Sequence, residues 1–158
     1  MPKGNKFRRQ KVCNHYNKNT KNAFLIFRSQ WEVAFADFLE ANKNIKSWEF
    51  DFKIMYFDKY VSQKPKPYYV DFRAEFHDGR IVFFEIKPIS SLQERVKTKS
   101  MRYKKIHNHN YLKNISKFES MVSFCLKSKA TFYIVEKKQN KFYYYRWSPL
   151  KRQAILAK

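Results

Sequence analysis

The stretch Val70–Pro88, VDFRAEFHDGRIVFFEIKP, reads as two β-strands joined by a short turn. Runs rich in aromatic and β-branched residues lie on both sides of the sequence His-Asp-Gly at 77–79, and this pattern predicts a β-hairpin with Gly in the left-handed region. In the register of a three-residue loop, Asp71 faces Glu85, and Lys87 projects on the same side as both. Because facing residues share one side of a sheet, the hairpin would bring the three charged groups together.

A two-residue loop at Asp78-Gly79 is the alternative for the same hairpin. It would slip the register by one residue, so that Asp71 faces Ile86 and the two carboxylates point to opposite sides of the sheet. We favour the three-residue loop, since only that register gives the acids a chemical reason to lie on these strands.

Carboxylates on apolar strands are unexpected in a chain with 34 Lys+Arg and 13 Asp+Glu. Two facing carboxylates repel each other unless a cation lies between them, and Mg²⁺ prefers hard oxygen ligands. We therefore predict a Mg²⁺ site formed by Asp71, Glu85 and the backbone carbonyl of Ile86, with Lys87 beside it to meet a phosphate or the attacking water. Such a set is typical of phosphodiester hydrolysis. A structural ion pair on a solvated strand face is the alternative.

The composition points to a polyanionic partner. The chain has 158 residues, enough for one domain, and a net charge of +21. Such a charge attracts nucleic acid first and an anionic membrane surface second. We expect no membrane span, because no apolar run approaches the roughly 20 residues required, and no signal peptide. Two cysteines make no disulfide framework, so we expect a reducing compartment.

Hydrophobic periodicity predicts one α/β domain over residues 23–147, between a basic flexible arm (1–22) and a basic tail (148–158). The first helix begins at Ser29 with Glu32 three residues later, a capping-box pattern that by itself explains this Glu. Its apolar face carries Trp31, Ala34, Phe35, Phe38 and Leu39, and it ends at 42–44. The remaining elements are strands 47–57, 68–76, 80–87, 130–136 and 141–147 and helices 91–107 and 112–127.

Asp71, a hairpin, then Glu85-x-Lys87, after a helix that carries Glu32, resembles the PD-(D/E)XK nuclease superfamily. The stretch FRSQWE (27–32) is similar to the Arg-Ser-x-x-Glu helix start of phage junction-resolving endonucleases and of some transposase subunits. The resemblance covers about residues 24–136 and implies a restriction-endonuclease-like αβββαβ core, a mixed sheet flanked by helices. Val70 stands where the family name has Pro.

The resemblance also implies roles for these residues. Asp71 and Glu85 would be metal ligands, Glu32 a further ligand or the group that positions a water, and Lys87 the group that orients the nucleophile. The activity would be Mg²⁺-dependent DNA cleavage of low sequence specificity, with Mn²⁺ able to substitute.

Within the superfamily, small size and high basicity resemble the tailed-phage head-completion nucleases. That likeness implies action on packaged DNA before head–tail joining, in the host cytoplasm or on the virion, with capsid or portal proteins as partners.

Two other functions stay open at this stage: a junction-resolving or recombination nuclease, and a non-catalytic DNA-binding head protein. In every case basic side chains would contact phosphates, although runs such as 95–105 are also typical of solvated helix faces. The predicted DNA contacts are Arg8, Arg9, Lys11, Arg28, Ser29, Arg95, Lys97, Lys99 and Arg102.

Overall fold

A computed structural model describes residues 7–10, 24–92 and 101–147, with the backbone alone at 7–10, 24 and 101–107. The strands are β1 Phe7–Gln10, β2 Phe24–Phe27, β3 Ile45–Phe57, β4 Pro65–Phe76, β5 Ile81–Ile86, β6 Thr131–Lys138 and β7 Lys141–Tyr145. The helices are α1 Gln30–Ala41 and α2 Met101–Ser128, and a short 3₁₀ turn spans Ile89–Leu92.

Five strands form one mixed sheet in the order β3-β4-β5-β6-β7. Only β5 and β6 are parallel, and the other neighbours are antiparallel. A parallel pair needs a long crossover, and α2 lies in the connection between β5 and β6. β1 and β2 pair in a separate antiparallel ribbon. The predicted α/β class, with a mixed sheet flanked by helices, is therefore confirmed.

The β4–β5 hairpin has the three-residue loop. Phe72 pairs with Phe84 and Glu75 with Ile81. At the turn the N–H of Phe76 donates to the carbonyl of Arg80 at 2.9 Å. Gly79 has a φ of 87°, a conformation that a side chain would disfavour. The two-residue alternative is wrong, because it would shift every one of these pairs.

Helix α1 begins as its sequence predicts. The Ser29 hydroxyl accepts the N–H of Glu32 at 3.2 Å, and the Glu32 carboxylate accepts the N–H of Arg28 at 2.8 Å. Phe35 and Leu39 are fully buried. The helix ends before Asn42.

Each face of the sheet has its own apolar cluster. The cluster on the α1 side contains Phe35, Leu39, Trp48, Phe50, Phe72 and Phe84. The cluster on the α2 side contains Tyr68, Val70, Phe83, Phe118, Met121 and Ile134. The sheet is therefore covered on both faces, and its central strands read as nearly continuous apolar runs.

Several element boundaries differ from the sequence prediction. α2 is continuous from Met101 to Ser128, so the predicted break at 108–111 is wrong. Packing of the apolar stripe against the sheet outweighs the weak helix propensity of this Asn- and His-rich stretch. Residues 93–100 of the predicted helix 91–107 lie outside the described part of the chain.

β4 also starts earlier than predicted, at Pro65. Prolines are tolerated there because only β3 pairs with that end of β4. β1 and β2 were not predicted as strands, and β1 lies within the predicted arm, of which the remainder is not described. The tail 148–158 also falls outside the description. None of the described helices is both long and apolar enough to cross a bilayer.

Candidate active site

Asp71 lies where β4 and β5 stop pairing. The last ladder pair is Phe72 with Phe84, and the next position of the same register would set Asp71 opposite Glu85. There the Asp71 side chain replaces the ladder contact: its Oδ2 accepts the N–H of Ile86 at 2.7 Å. Asp71 is buried. The carboxylate thus holds the two strands together at their point of separation.

Glu85 and Lys87 lie at the same end of the hairpin. Glu85 is buried, and its Oε2 accepts a hydrogen bond of 2.6 Å from the hydroxyl of Tyr68. Its Oε1 lies 3.4 Å from the Lys87 ammonium, which also contacts Oδ1 of Asn114 at 3.3 Å. The ammonium is therefore held between β5 and α2, beside Glu85.

Glu32 reaches the site from the first turn of α1. It is buried, and one of its carboxylate oxygens lies 3.7 Å from Nε of Arg28 while the other accepts the backbone N–H of Arg28, one residue before the N-cap Ser29. Burial raises the pKa of Asp71, and the charges of Glu85 and Glu32 add to this effect. The structure thus brings Glu32, Asp71, Glu85 and Lys87 into one neighbourhood.

Arg28 supplies positive charge to this neighbourhood. One of its guanidinium nitrogens, Nη2, contacts Oδ1 of Asp71 at 2.9 Å and Oδ1 of Asp51 at 2.8 Å. The guanidinium also lies 5.3 Å from the centre of the Phe50 ring. Burial opposes its charge, but the carboxylates of Asp71, Asp51 and Glu32 outweigh burial and raise the pKa of Arg28. Arg28 is therefore an ion-pair partner of the acids in this arrangement.

Asp51 was not predicted as a site residue. It lies between the ladder pairs Phe50–Phe72 and Phe52–Val70, opposite Asp71, and its φ of 57° is uncommon for a residue with a side chain. Strained backbone of this kind is often found at functional positions. The available signal was an acid among the aromatic residues of strand 47–57.

The side chains of β3 and β4 change from one face of the sheet to the other at this level. Phe50 and Phe72 pack in the α1-side cluster, whereas Phe52 and Val70 pack in the α2-side cluster. An undisturbed strand would keep residues 70 and 72 on one side. The irregularity at Asp51 and Asp71 therefore coincides with the place where the charged groups collect.

The electrostatics favour an added cation. Burial raises the pKa of Asp71 well above its ordinary value, and the charges of Glu85 and Glu32 raise it further. Burial also raises the pKa of Asp51, against the opposing effect of Arg28. Negative charge at these positions is costly, so a bound cation would stabilise it.

The donor set suits Mg²⁺ in its chemistry, because carboxylate oxygens are the ligands this ion prefers. Yet within residues 24–92 and 108–147 no three Asp, Glu, His or Cys side chains stand ready to hold a metal. Each oxygen of Asp71 and Glu85 already has a protein partner. A metal at Asp71 would take over the position of Arg28 or share the carboxylate with it. Ile86 contacts Asp71 through its backbone N–H, and its carbonyl as a metal ligand stays a prediction.

Tyr68, Asn114 and Lys117 were also missed. Tyr68 and Asn114 contact Glu85 and Lys87, and Lys117 lies over the Tyr68 ring. No local motif marks them: Tyr68 is one of several aromatic residues on its strand, and α2, which carries Asn114 and Lys117, is distant from the hairpin in sequence.

Of the predicted DNA contacts, Arg28 and Ser29 can be examined in the structure. Arg28 contacts acids, and Ser29 caps α1. The side chains of the others, Arg8, Arg9, Lys11, Arg95, Lys97, Lys99 and Arg102, lie outside the described part of the chain, so those assignments stay predictions.

Comparison of the chain with protein-family models, with curated proteins and with solved structures gives no match in any of the three.

Proposed function

We propose that the protein is a metal-dependent endodeoxyribonuclease of the PD-(D/E)XK type. The observation that supports this most is the meeting of Asp71, Glu85 and Lys87 where β4 and β5 separate, with Glu32 approaching from α1. The restriction-endonuclease-like core is part of the same proposal.

In this proposal Asp71, Glu85 and the Ile86 carbonyl would hold Mg²⁺, with Glu32 as a further ligand or a water-positioning group. The ion would polarise a phosphoryl oxygen and lower the pKa of a bound water. Lys87 would donate to a phosphate oxygen or orient the nucleophile, since its ammonium lies 3.4 Å from Glu85. Tyr68 would keep Glu85 in place by its 2.6 Å hydrogen bond.

The substrate class follows from charge. A net charge of +21 favours a polyanion, and phosphate contacts supply affinity without sequence information. We therefore propose DNA cleavage of low sequence specificity. The resemblance to head-completion nucleases adds the proposed setting: packaged phage DNA, with capsid or portal proteins as partners.

A non-catalytic DNA-binding protein is the second candidate. One observation favours it: Arg28, Tyr68, Lys87 and the Ile86 N–H already satisfy the oxygens of Asp71 and Glu85 without a metal. In that case the acids would form a structural ion-pair network.

Supercoiled and linear DNA incubated with Mg²⁺ or Mn²⁺ separate the two candidates. The wild type should nick or cut the DNA, and Asp71→Ala and Lys87→Ala should abolish cleavage while salt-sensitive DNA binding survives. Asp78→Ala and Lys53→Ala are matched controls on the exposed surface and should cleave normally. Intact DNA with the wild type would favour the binding protein. Branched DNA in the same assay tests the junction-resolving alternative.

A further inference from the structure

Lys117 of α2 extends toward the charged end of the hairpin. Its ammonium lies 5.2 Å from the ring centre of Tyr68 and 6.0 Å from that of Tyr56. The Tyr68 hydroxyl in turn holds Glu85, so Lys117 lies one side chain away from the proposed metal ligand. Lys117 is therefore part of the surroundings of the site, although it is distant from the hairpin in sequence.

Within the described part of the chain, the Lys117 ammonium contacts the two tyrosine rings and no acid. Burial and the nearby charge of Lys87 lower its pKa, against the opposing charges of Glu85 and Asp71, neither of which is in contact with it. Positive charge without a paired acid would be stabilised by an anion.

The surrounding charges limit what that anion would be. Asp71 and Glu85 lie on the hairpin side, and Lys87 is held between β5 and α2 by its contact with Asn114. Lys117 is one helical turn after Asn114 on the same helix. A suitable ligand would present negatively charged oxygens to Lys87 and Lys117. The rest of its chain would continue past the carboxylates of Asp71 and Glu85. A backbone phosphate of a nucleic acid has that form.

We propose that Lys117, together with Lys87, forms a subsite for a phosphate of the nucleic-acid backbone next to the carboxylates. The choice of nucleic acid rests on the proposed function. Lys117 would be a positioning residue that holds the strand in place, and the proposal does not give it a role in proton transfer.

The experiment measures binding of a short fluorescein-labelled DNA duplex by anisotropy in EDTA, over a series of KCl concentrations. Lys117→Met keeps most of the aliphatic stem and removes the charge. It should weaken binding about tenfold, as loss of one charge-assisted contact would, and reduce the slope of log affinity against log salt by about 0.9. Lys117→Arg should retain most of the affinity.

Lys127→Met is the matched control, because Lys127 is exposed in the last turn of the same helix. Its affinity and salt slope should stay at the wild-type values. Equal losses in Lys117→Met and Lys127→Met would overturn the proposal, since they would show a general charge effect. A loss of thermal stability in Lys117→Met with unchanged DNA binding would also overturn it and assign Lys117 a purely structural cation–π role.

Because EDTA prevents metal-dependent cleavage, this result is independent of the nuclease assay. A wild type that fails to cut DNA, together with a reduced salt slope in Lys117→Met, would reject the proposed activity and retain the phosphate subsite. A wild type that cuts DNA, together with unchanged binding in Lys117→Met, would reject the subsite alone.

Discussion

The hydroxyl of Tyr68 on β4 donates a 2.6 Å hydrogen bond to Oε2 of Glu85 on β5, and both side chains are buried. The contact joins two strands beyond the last pair of their ladder, Phe72 with Phe84. Burial, followed by the charge of Glu85, raises the pKa of Tyr68, so the phenol stays a donor. This hydrogen bond holds one proposed metal ligand in a fixed orientation.

Tyr68→Phe should therefore impair both stability and function. Loss of the donor leaves a buried carboxylate oxygen unsatisfied, at a cost of about 1–3 kcal/mol in the free energy of unfolding. Urea denaturation measures this cost, and plasmid cleavage should slow as Glu85 loses its orientation. Tyr69→Phe is the control, because Tyr69 is exposed on the same strand. Equal stability of the two variants would contradict the prediction.

Asp71→Asn tests whether the Asp71 carboxylate stabilises the fold or is retained for function at a cost in stability. Burial raises the pKa of Asp71, so ionisation costs the folded state more than the unfolded state. Wild-type stability should therefore fall as pH rises from the ordinary carboxyl pKa, about 4, through the higher folded-state value. The variant lacks this penalty and should be more stable at neutral pH by about 1 kcal/mol, a common stability–activity trade-off.

Thermal unfolding at acidic and neutral pH measures that difference, and MgCl₂ provides a second test. Mg²⁺ should raise the unfolding temperature of the wild type and raise that of Asp71→Asn much less, since the variant lacks one of the carboxylate ligands. If Asp71→Asn is instead destabilised at neutral pH, the ion pair with Arg28 is structural.

The backbone at Asp51 should reject β-branched side chains. Its φ of 57° lies in the left-handed region, which Asp and Asn adopt more readily than most residues. Asp51→Val should lower the free energy of unfolding by about 1–3 kcal/mol, the cost of such strain. Asp51→Asn should be much milder, because Asn tolerates this backbone conformation and the variant loses only the ion pair with Arg28. Urea denaturation of both variants tests the conformation, and similar losses would argue against a strained backbone here.

Asp58 should be essential to the β3–β4 connection. Its fully buried carboxylate accepts the N–H and hydroxyl of Ser62, at 3.1 and 2.8 Å, and lies 3.4 Å from the Lys66 ammonium. Burial opposes ionisation, but these contacts outweigh it and lower the pKa of Asp58.

Asp58→Ala should destabilise the protein by about 2–3 kcal/mol, because the half-buried Ser62 and Lys66 lose a charged partner that is itself fully buried. The lowered pKa means that the wild-type advantage is present above the ordinary carboxyl pKa and disappears as pH falls through the folded-state value. Urea denaturation at neutral and acidic pH measures both effects. Asp78→Ala is the exposed control: its carboxylate accepts hydrogen bonds from Arg80, but the pair is open to solvent, so the loss should be much smaller than for Asp58→Ala. Equal losses in the two variants would contradict the prediction for Asp58.

The sequence alone determined the features that depend on near neighbours. The stretch His77-Asp78-Gly79 limited the hairpin to two registers, since loop length sets which residues face each other, and the structure has the register that was favoured because it places Asp71 and Glu85 on one side. The Ser29–Glu32 pair specified the start of α1. These contacts span few residues, so local backbone geometry is sufficient to define them.

Only the tertiary structure decided which distant groups surround the hairpin. Arg28 meets Asp51 and Asp71 across 23 and 43 residues, and Lys87 meets Asn114 across 27. Periodicity tells which face of a helix or strand is apolar, but it does not tell which turn of one element lies beside which residue of another. That choice depends on packing of the whole core, which also made α2 continuous.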